Sequence, residues 1–382
     1  MLQSVSKGFK SQAVIQAIDM ATVSLCKRCW KRNGIAEPTK ASMVKEQYCK
    51  LCLGGFLRIA DFGSKAVAAI DKSSGAETFS VGTRLTKDSE RYEEDVWDVV
   101  DLTKAESVKG ELNREIGKWV EKNSKYKFSP DPHVRMIVDV MTGGVETQVA
   151  STYLYGRYRK LKRNVRQTKK EGSDEQSVEA AIEVPLLKIA KGQKAVLHGA
   201  GREDIDVLMA GGGRPFVIEV VRPQVRRFDA KKAQMAINKS AKGIAAVEAL
   251  RFCDKNKVEV IKRAKFDKTY EATVEVDKPI AKSDLQKLPN SAALAQRTPL
   301  RVVNRRADLI RKRTVKRLDS VWIDKTHFRL IMTTQSGTYI KEFINGDEGR
   351  TQPNISSMLN RKARCSELTV TAIHSEWLED FW

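Results

Sequence analysis

Four of the six cysteines stand in two short pairs, Cys26-Lys-Arg-Cys29 and Cys49-Lys-Leu-Cys52, with nineteen residues between them. This spacing constrains the fold of the N-terminal region more than any other feature. Each pair can wrap one side of a tetrahedral ion, so the set matches a four-thiolate zinc site with the intervening segment as a loop. Four protein ligands leave no position for water, which makes the role structural. Two disulfides or four buried free thiols are the competing readings, and a disulfide framework suits a long, cysteine-poor chain badly. Cys253 and Cys365 stand alone and read as core residues.

The charge points to a partner. Lys and Arg number 69 and Asp and Glu 48 among 382 residues, a net charge of +21. The excess is clustered. Eight of the fourteen residues from Arg157 to Lys170 are basic, as are nine of the twenty-one from Arg297 to Arg317, where Asp308 is the only acid. Such runs suit a nucleic-acid backbone better than an anionic membrane or an inert surface. With 41% hydrophobic residues the chain has enough apolar surface for cores rather than disorder. Its length suits two or three domains of ~100–200 residues. No apolar run reaches the ~18 residues of a membrane span, and the N-terminus lacks a signal peptide's apolar block. It carries no acid before Asp19, so composition leaves a transit peptide open. The expectation is a cytoplasmic protein.

Periodicity gives a coarse organisation. Val14, Ile15, Ile18, Val23 and Leu25 recur at helical spacing. Glu106–Val120 reads as a helix, Val134–Val140 as a strand and Val145–Tyr155 as another. The polar stretch Thr168–Gln176 reads as a linker. Beyond it, Val178–Ile189 reads as a helix broken or kinked at Pro185, and Gln234–Ala249 and Ser283–Lys287 as further helices. Tyr270–Val276, Val321–Ile323 and Phe328–Thr334 read as strands. The expected fold is α+β in both halves, with residues 1–56 a zinc-binding region, 57–167 an RNA-binding α/β domain, 168–177 a linker and 178–382 a mixed-sheet domain.

One segment carries chemistry. His198-Gly-Ala-Gly-Arg-Glu-Asp-Ile-Asp206 sets acids beside Arg202 after glycines that let backbone approach a ligand. An Arg beside an Asp suits a nucleophilic carboxylate, and a solvated surface turn is the even alternative. Gly211-Gly212-Gly213 lack phosphate-loop spacing and read as a turn. Four histidines leave little room for histidine catalysis.

Gly201-Arg202-Glu203-Asp204-Ile205-Asp206, followed by Gly213-Arg214-Pro215-Phe216 and Glu219, resembles the active-site signature of the archaeal tRNA pseudouridine synthases that modify uridines 54 and 55. The likeness recurs in Arg297-Thr-Pro-Leu-Arg-Val302 and Arg305-Arg-Ala-Asp308. It continues in Gly337-Thr-Tyr-Ile-Lys-Glu-Phe343 and Gly346-Asp-Glu-Gly-Arg-Thr351. Asn113–Lys118, Gly156–Leu161 and the four-cysteine pattern also look like that family, so the resemblance spans nearly the whole chain in order.

The resemblance implies an N-terminal zinc-binding, THUMP-containing region that grips tRNA. It implies a C-terminal pseudouridine synthase domain with a mixed, mostly antiparallel sheet and a central cleft. It makes Asp204 the nucleophile, Arg202 its partner and Asp206 the fallback. Lys268-Thr-Tyr-Glu-Ala272 looks like the family's Lys-x-Tyr strand, placing Tyr270 against the target base with a part in the final proton transfer. Tyr339, with Lys341 nearby, looks like a second substrate contact. Arg159, Lys160, Arg163, Arg305 and Arg306 are the expected phosphate contacts, and Cys26, Cys29, Cys49 and Cys52 the metal ligands. The reaction is an isomerisation on a flipped-out T-arm uridine, so zinc is the sole expected cofactor and none is organic. No protein partner is implied. Two departures stand out. Leu208 occupies a position commonly Arg, and the cysteine-rich hairpin many members carry after the equivalent of Gln167-Thr168 is missing. A non-catalytic zinc-containing tRNA-binding protein on the same scaffold is the alternative. A THUMP enzyme of another chemistry is disfavoured, because the chain has no glycine-rich cofactor loop or P-loop.

Overall fold

The computed structural model describes residues 23–34, 43–98, 100–170, 172, 176–376 and 378. The periodic Val14, Ile15 and Ile18 lie outside them. The chain forms two compact units, residues 1–150 and 151–382.

The first unit contains α1 (Lys27–Arg32), α2 (Ile59–Asp71), β1 (Thr78–Arg84), α3 (Lys87–Trp97), α4 (Val108–Asn123), β2 (Lys127–Phe128), β3 (Val134–Asp139) and β4 (Val145–Val149). Its sheet runs β2-β1-β3-β4, with β1 parallel to β2 and β3, and β4 antiparallel to β3. The Ser107 hydroxyl starts α4 by accepting the Gly110 N–H at 3.0 Å. Val108, Leu112, Ile116 and Val120, four residues apart, form its buried stripe. They share a core with Phe62, Ala66 and Ile70 of α2 and Met136 and Val138 of β3.

The second unit contains β5 (Thr152–Lys160), α5 (Val178–Ala190), β6 (Lys194–Gly199), β7 (Leu208–Val221), α6 (Ala230–Ser240), β8 (Ala245–Cys253), α7 (Asn256–Arg263) and β9 (Lys268–Val276). It continues with α8 (Lys282–Leu285), β10 (Ala292–Arg297), β11 (Ile310–Trp322), β12 (His327–Thr334), α9 (Ile340–Asn345), β13 (Thr351–Gln352), α10 (Ile355–Leu359) and β14 (Ala363–Ile373). Among the described residues these strands make one sheet of order β13-β10-β11-β12-β9-β14-β7-β5-β8, with β6 also on β7. Only β14 and β7 pair in parallel. The molecule is α+β throughout, as the sequence implied.

The structure corrects several local expectations. The division falls at residues 150/151, not at 168–177. Val145–Tyr155 is two strands: β4 closes the first sheet, and β5 enters the second sheet between β7 and β8. Residues 152–167 therefore belong to the second unit. Gln234–Ala249 is the end of α6 followed by β8; Gly243, at φ +80°, turns the chain between them. α5 continues through a buried Pro185. Gly211–Gly213 lie inside β7 and are not a turn. Gly211 is at φ +56°, and a Cβ there would meet the Thr371 carbonyl oxygen at 1.9 Å, so no larger residue fits beside β14. The second basic run lies partly on β11.

Candidate active site and metal centre

Residues 200–207 form the loop between β6 and β7, and the buried side chains of Lys160, Gln167 and Arg214, with the half-buried Arg163, hold its backbone. Arg214 Nη1 donates to the Ala200 carbonyl at 2.7 Å, and Gln167 Nε2 donates to the Gly201 carbonyl at 3.0 Å. Lys160 Nζ donates to the Asp204 and Ile205 carbonyls at 3.1 and 3.0 Å and to that of Val165 at 2.9 Å. Arg163 Nη1 donates to the Asp206 carbonyl at 2.9 Å. The Glu203 side chain points inward. Its carboxylate accepts the Tyr158 hydroxyl, 3.0 Å from either oxygen, and pairs with Arg214 Nε at 2.9 Å. Glu203, Arg214 and Tyr158 are all buried. The pair is close but not fully hydrogen-bonded: Arg214 Nε has no aligned acceptor, while Nη1 is taken by the Ala200 carbonyl and the Glu203 carboxylate by the Tyr158 hydroxyl. Burial pushes the Tyr158 phenol up and pulls the Lys160 ammonium down from their ordinary ranges.

With Glu203 turned in, the Asp204 and Asp206 side chains are half exposed. Two cations face Asp204: Arg301 Nη1 at 3.1 Å and Lys341 Nζ at 3.8 Å. Lys341 contacts Asp206 more closely, at 2.7 and 2.8 Å. Burial alone would raise the Asp206 carboxyl, but the Lys341 ammonium outweighs it and holds the group below its ordinary value. Arg301 Nε also donates to Glu342 at 2.7 Å, and Glu342 is buried with Oε2 unpartnered. Arg301 lies 5.9 Å from the Tyr339 ring centroid. The Gln296 amide clamps the Tyr339 backbone, each bond 3.0 Å long, and Arg306 Nη1 donates to the Tyr339 hydroxyl at 3.1 Å.

β9 supplies Lys268 and Tyr270, two residues apart and so on one face of the strand. Burial pushes the Tyr270 phenol up to about 12. Burial also pulls the Lys268 ammonium down to about 8, and that ammonium makes no hydrogen bond or ion pair among the described residues. A Cβ on Gly201 would lie 3.2 Å from Lys268 Nζ and 3.3 Å from Arg214 Nη1, so the loop and β9 meet here.

The structure thus gathers Asp204, Asp206, Tyr339 and Lys341, and sets Tyr270 beside the loop on β9. It does not pair Arg202 with Asp204. Arg202 is exposed and makes no ion pair among the described residues, while the turn at residues 205–206 leaves Asp204 facing Arg301 and Lys341. Arg301 takes that place. The first basic run is not a free phosphate-binding face either. Lys160 is 1% exposed and bonded to loop carbonyls, Arg163 braces the same loop, and Arg159 pairs with Glu248. Arg305 and Arg306 are exposed as expected. Leu208, where the resemblance expects Arg, starts β7 opposite Thr369. Glu203 lay in the recognised signature, but nothing in sequence marked it as the buried member.

The four cysteines converge in the first unit. Their sulfurs lie within 4.8 Å of one another, with Cys26–Cys52 at 3.8 Å and Cys29–Cys49 at 3.7 Å. Tetrahedral zinc with Zn–S near 2.3 Å sets sulfurs about 3.8 Å apart, so the donor set fits the ion. The Cys26 N–H points at Cys49 Sγ and Arg32 Nη1 at Cys29 Sγ, each at 3.4 Å. Donors aimed at sulfur suit thiolate ligands. Arg32 is itself buried and also reaches Glu111 at 3.3 Å. No described helix is long and apolar enough to cross a membrane.

A four-cysteine unit with a mixed sheet, followed by an α+β unit that presents a caged acidic loop to two cations, defines a two-part protein whose cysteine cluster and acidic loop lie on separate units. Residues 153–374 match the family model "Pus10, C-terminal", and residues 62–139 match "Pus10 THUMP domain, archaeal". The chain belongs to the Pus10 family. It is 39% identical over 329 residues to the tRNA pseudouridine synthase Pus10 of Pyrococcus furiosus, covering 85% of this chain and 84% of that one. Its identity to the Pus10 of Thermoplasma acidophilum is 33% over 389 residues, covering 94% and 99%. With that of Thermofilum pendens it is 36%, covering 86% and 77%.

Proposed function

We propose that the chain is a tRNA pseudouridine synthase that isomerises uridine 54, uridine 55 or both in the T arm, with Asp204 acting on a flipped-out uridine. The observation that carries this reading is the Asp204 carboxylate, presented on a backbone-caged loop to Arg301 and Lys341, in a member of the Pus10 family.

The target base leaves its stack, at a cost of a few kcal/mol, before chemistry begins. Asp204 then acts on the ribose, by attack at C1′ or by taking the C2′ proton, and the C1′–N1 bond breaks. The base rotates and C5 bonds to C1′ as the Asp204–C1′ bond breaks or, on the other route, as Asp204 returns the proton to C2′; the C5 proton then leaves and N1 gains a proton. Atoms and electrons balance within the substrate, so no organic cofactor is required. Tyr270, a neutral phenol at pH 7, serves as a stacking platform and hydroxyl relay rather than as a phenolate base. Tyr339, with its hydroxyl held by Arg306, forms a second wall. Arg305 and Arg306 contact phosphate. Zinc at Cys26, Cys29, Cys49 and Cys52 is structural, and the protein acts in the cytoplasm, where unmodified tRNA substrate is available.

The test is to incubate purified protein with unmodified tRNA and no added cofactor, then map pseudouridine by carbodiimide adducts. Pseudouridine at 54 or 55 is the expected result. Bound but unmodified tRNA overturns it in favour of a binding protein.

A further inference from the structure

The end of the second sheet carries a cavity of about 530 Å³ that the reaction scheme leaves unused. Its floor follows from strand register. Ala295 of β10 lies opposite Gln352 of β13 and Lys312 of β11, and Arg297 lies opposite Ile310. Residues in register, and residues two apart, share a face, so these side chains form one surface. It is the solvent face: Ala295, Arg297, Gln352 and Ile310 are exposed, while Leu294 and Gln296 between them are buried. Leu300 forms one wall and residues 348–350 the other.

The lining suits a nucleobase. Leu300 and Ile310 are aliphatic and 42% and 70% exposed, which gives a ring something to lie against. The Gln352 amide and Glu348 carboxylate make no hydrogen bond or ion pair among the described residues and can meet a base edge. The charges argue against a phosphate occupant. Arg297 and Arg350 both pair with Asp308, and Glu348 adds a second acid, so two guanidiniums face two carboxylates. The place also fits. Leu300 walls the cavity, and Arg301, the next residue, contacts Asp204. An RNA strand with its target uridine at Asp204 has a neighbouring nucleotide within reach.

We infer that this cavity is a second nucleotide site, which takes the base of a residue flanking the target uridine and so helps choose which uridine enters the cleft. The inference rests on the proposed function and adds a determinant of substrate choice to it.

The experiment uses the full chain and T-arm RNAs in which each nucleotide within three of the target is made abasic in turn. Single-turnover kcat/KM is measured for the wild type and for the double variant Ile310→Ala, Gln352→Ala, both exposed positions whose change leaves the core intact. One abasic position is expected to cost the wild type about 10-fold, the order of losing the burial of ~50 Å² of base surface against the aliphatic walls. The double variant is expected to lose a similar factor on intact RNA and nothing further at that position. Equal rates for variant and wild type on intact RNA, or losses that multiply at every abasic position, overturn the second site. Wild-type turnover of intact RNA reports on the underlying function separately, and its absence removes both readings.

Discussion

Glu203 and Asp204 are neighbours with opposite fates: one carboxylate is buried against Arg214, and the other faces Arg301 and Lys341. Glu203→Gln leaves the Arg214 guanidinium buried without its counter-charge, and breaking such a pair costs about 3–5 kcal/mol. Urea denaturation is expected to show a loss of that order, whereas Arg202→Ala, at an exposed position, stays within about 0.5 kcal/mol. A Glu203→Gln midpoint equal to wild type contradicts the buried network. Sequence located the loop but not its partners. Arg202 sits two positions from Asp204, whereas the real partner, Arg301, is 97 residues away and reaches it only through the fold. Tyr339 and Lys341 were recognisable because their motif is contiguous.

At the scale of elements, two basic runs of similar composition have different fates. In the first, β5 carries Lys160 into the core, where it caps the acidic loop; in the second, Arg305 and Arg306 remain exposed. Composition cannot separate them, because it does not show which lysine lies on the buried face of a strand. Lys160→Met is expected to lower stability and turnover without changing the salt slope of tRNA binding. Arg305→Ala with Arg306→Ala is expected to reduce that slope by about two. The reverse assignment of the two slopes contradicts this division. β9 offers a test by pH. The Lys268 ammonium titrates near about 8 when folded and near 10.5 when free, so the folded state binds fewer protons between these values. Stability from this group is therefore lowest below pH 8 and rises as pH climbs through that window. Lys268→Met should exceed wild type in stability at pH 7, with the gap narrowing by pH 10; a gap independent of pH indicates an ordinary, solvated lysine.

Across the whole chain, the convergence of the four cysteines was the easiest part to read and the domain boundary the hardest. Thiolate spacing reports directly on a tetrahedral ion, whereas β5 leaves one sheet's sequence neighbourhood to become an interior strand of another. Metal analysis is expected to give one zinc per chain, and Cys26→Ser is expected to lose it. The loss should expose amides of residues 1–150 to hydrogen exchange while residues 151–382 keep their protection, since each unit has its own core. A folded, reduced protein with no zinc contradicts the structural role. In the proposed mechanism Asp204 performs the chemistry on a T-arm uridine. The most direct test of this is carbodiimide mapping of pseudouridine in T-arm RNA treated with wild type, Asp204→Asn and Asp206→Asn, with tRNA affinity measured alongside. The expected result is full modification by wild type, measurable modification by Asp206→Asn, and none by Asp204→Asn at undiminished affinity; pseudouridine formed by Asp204→Asn would contradict it.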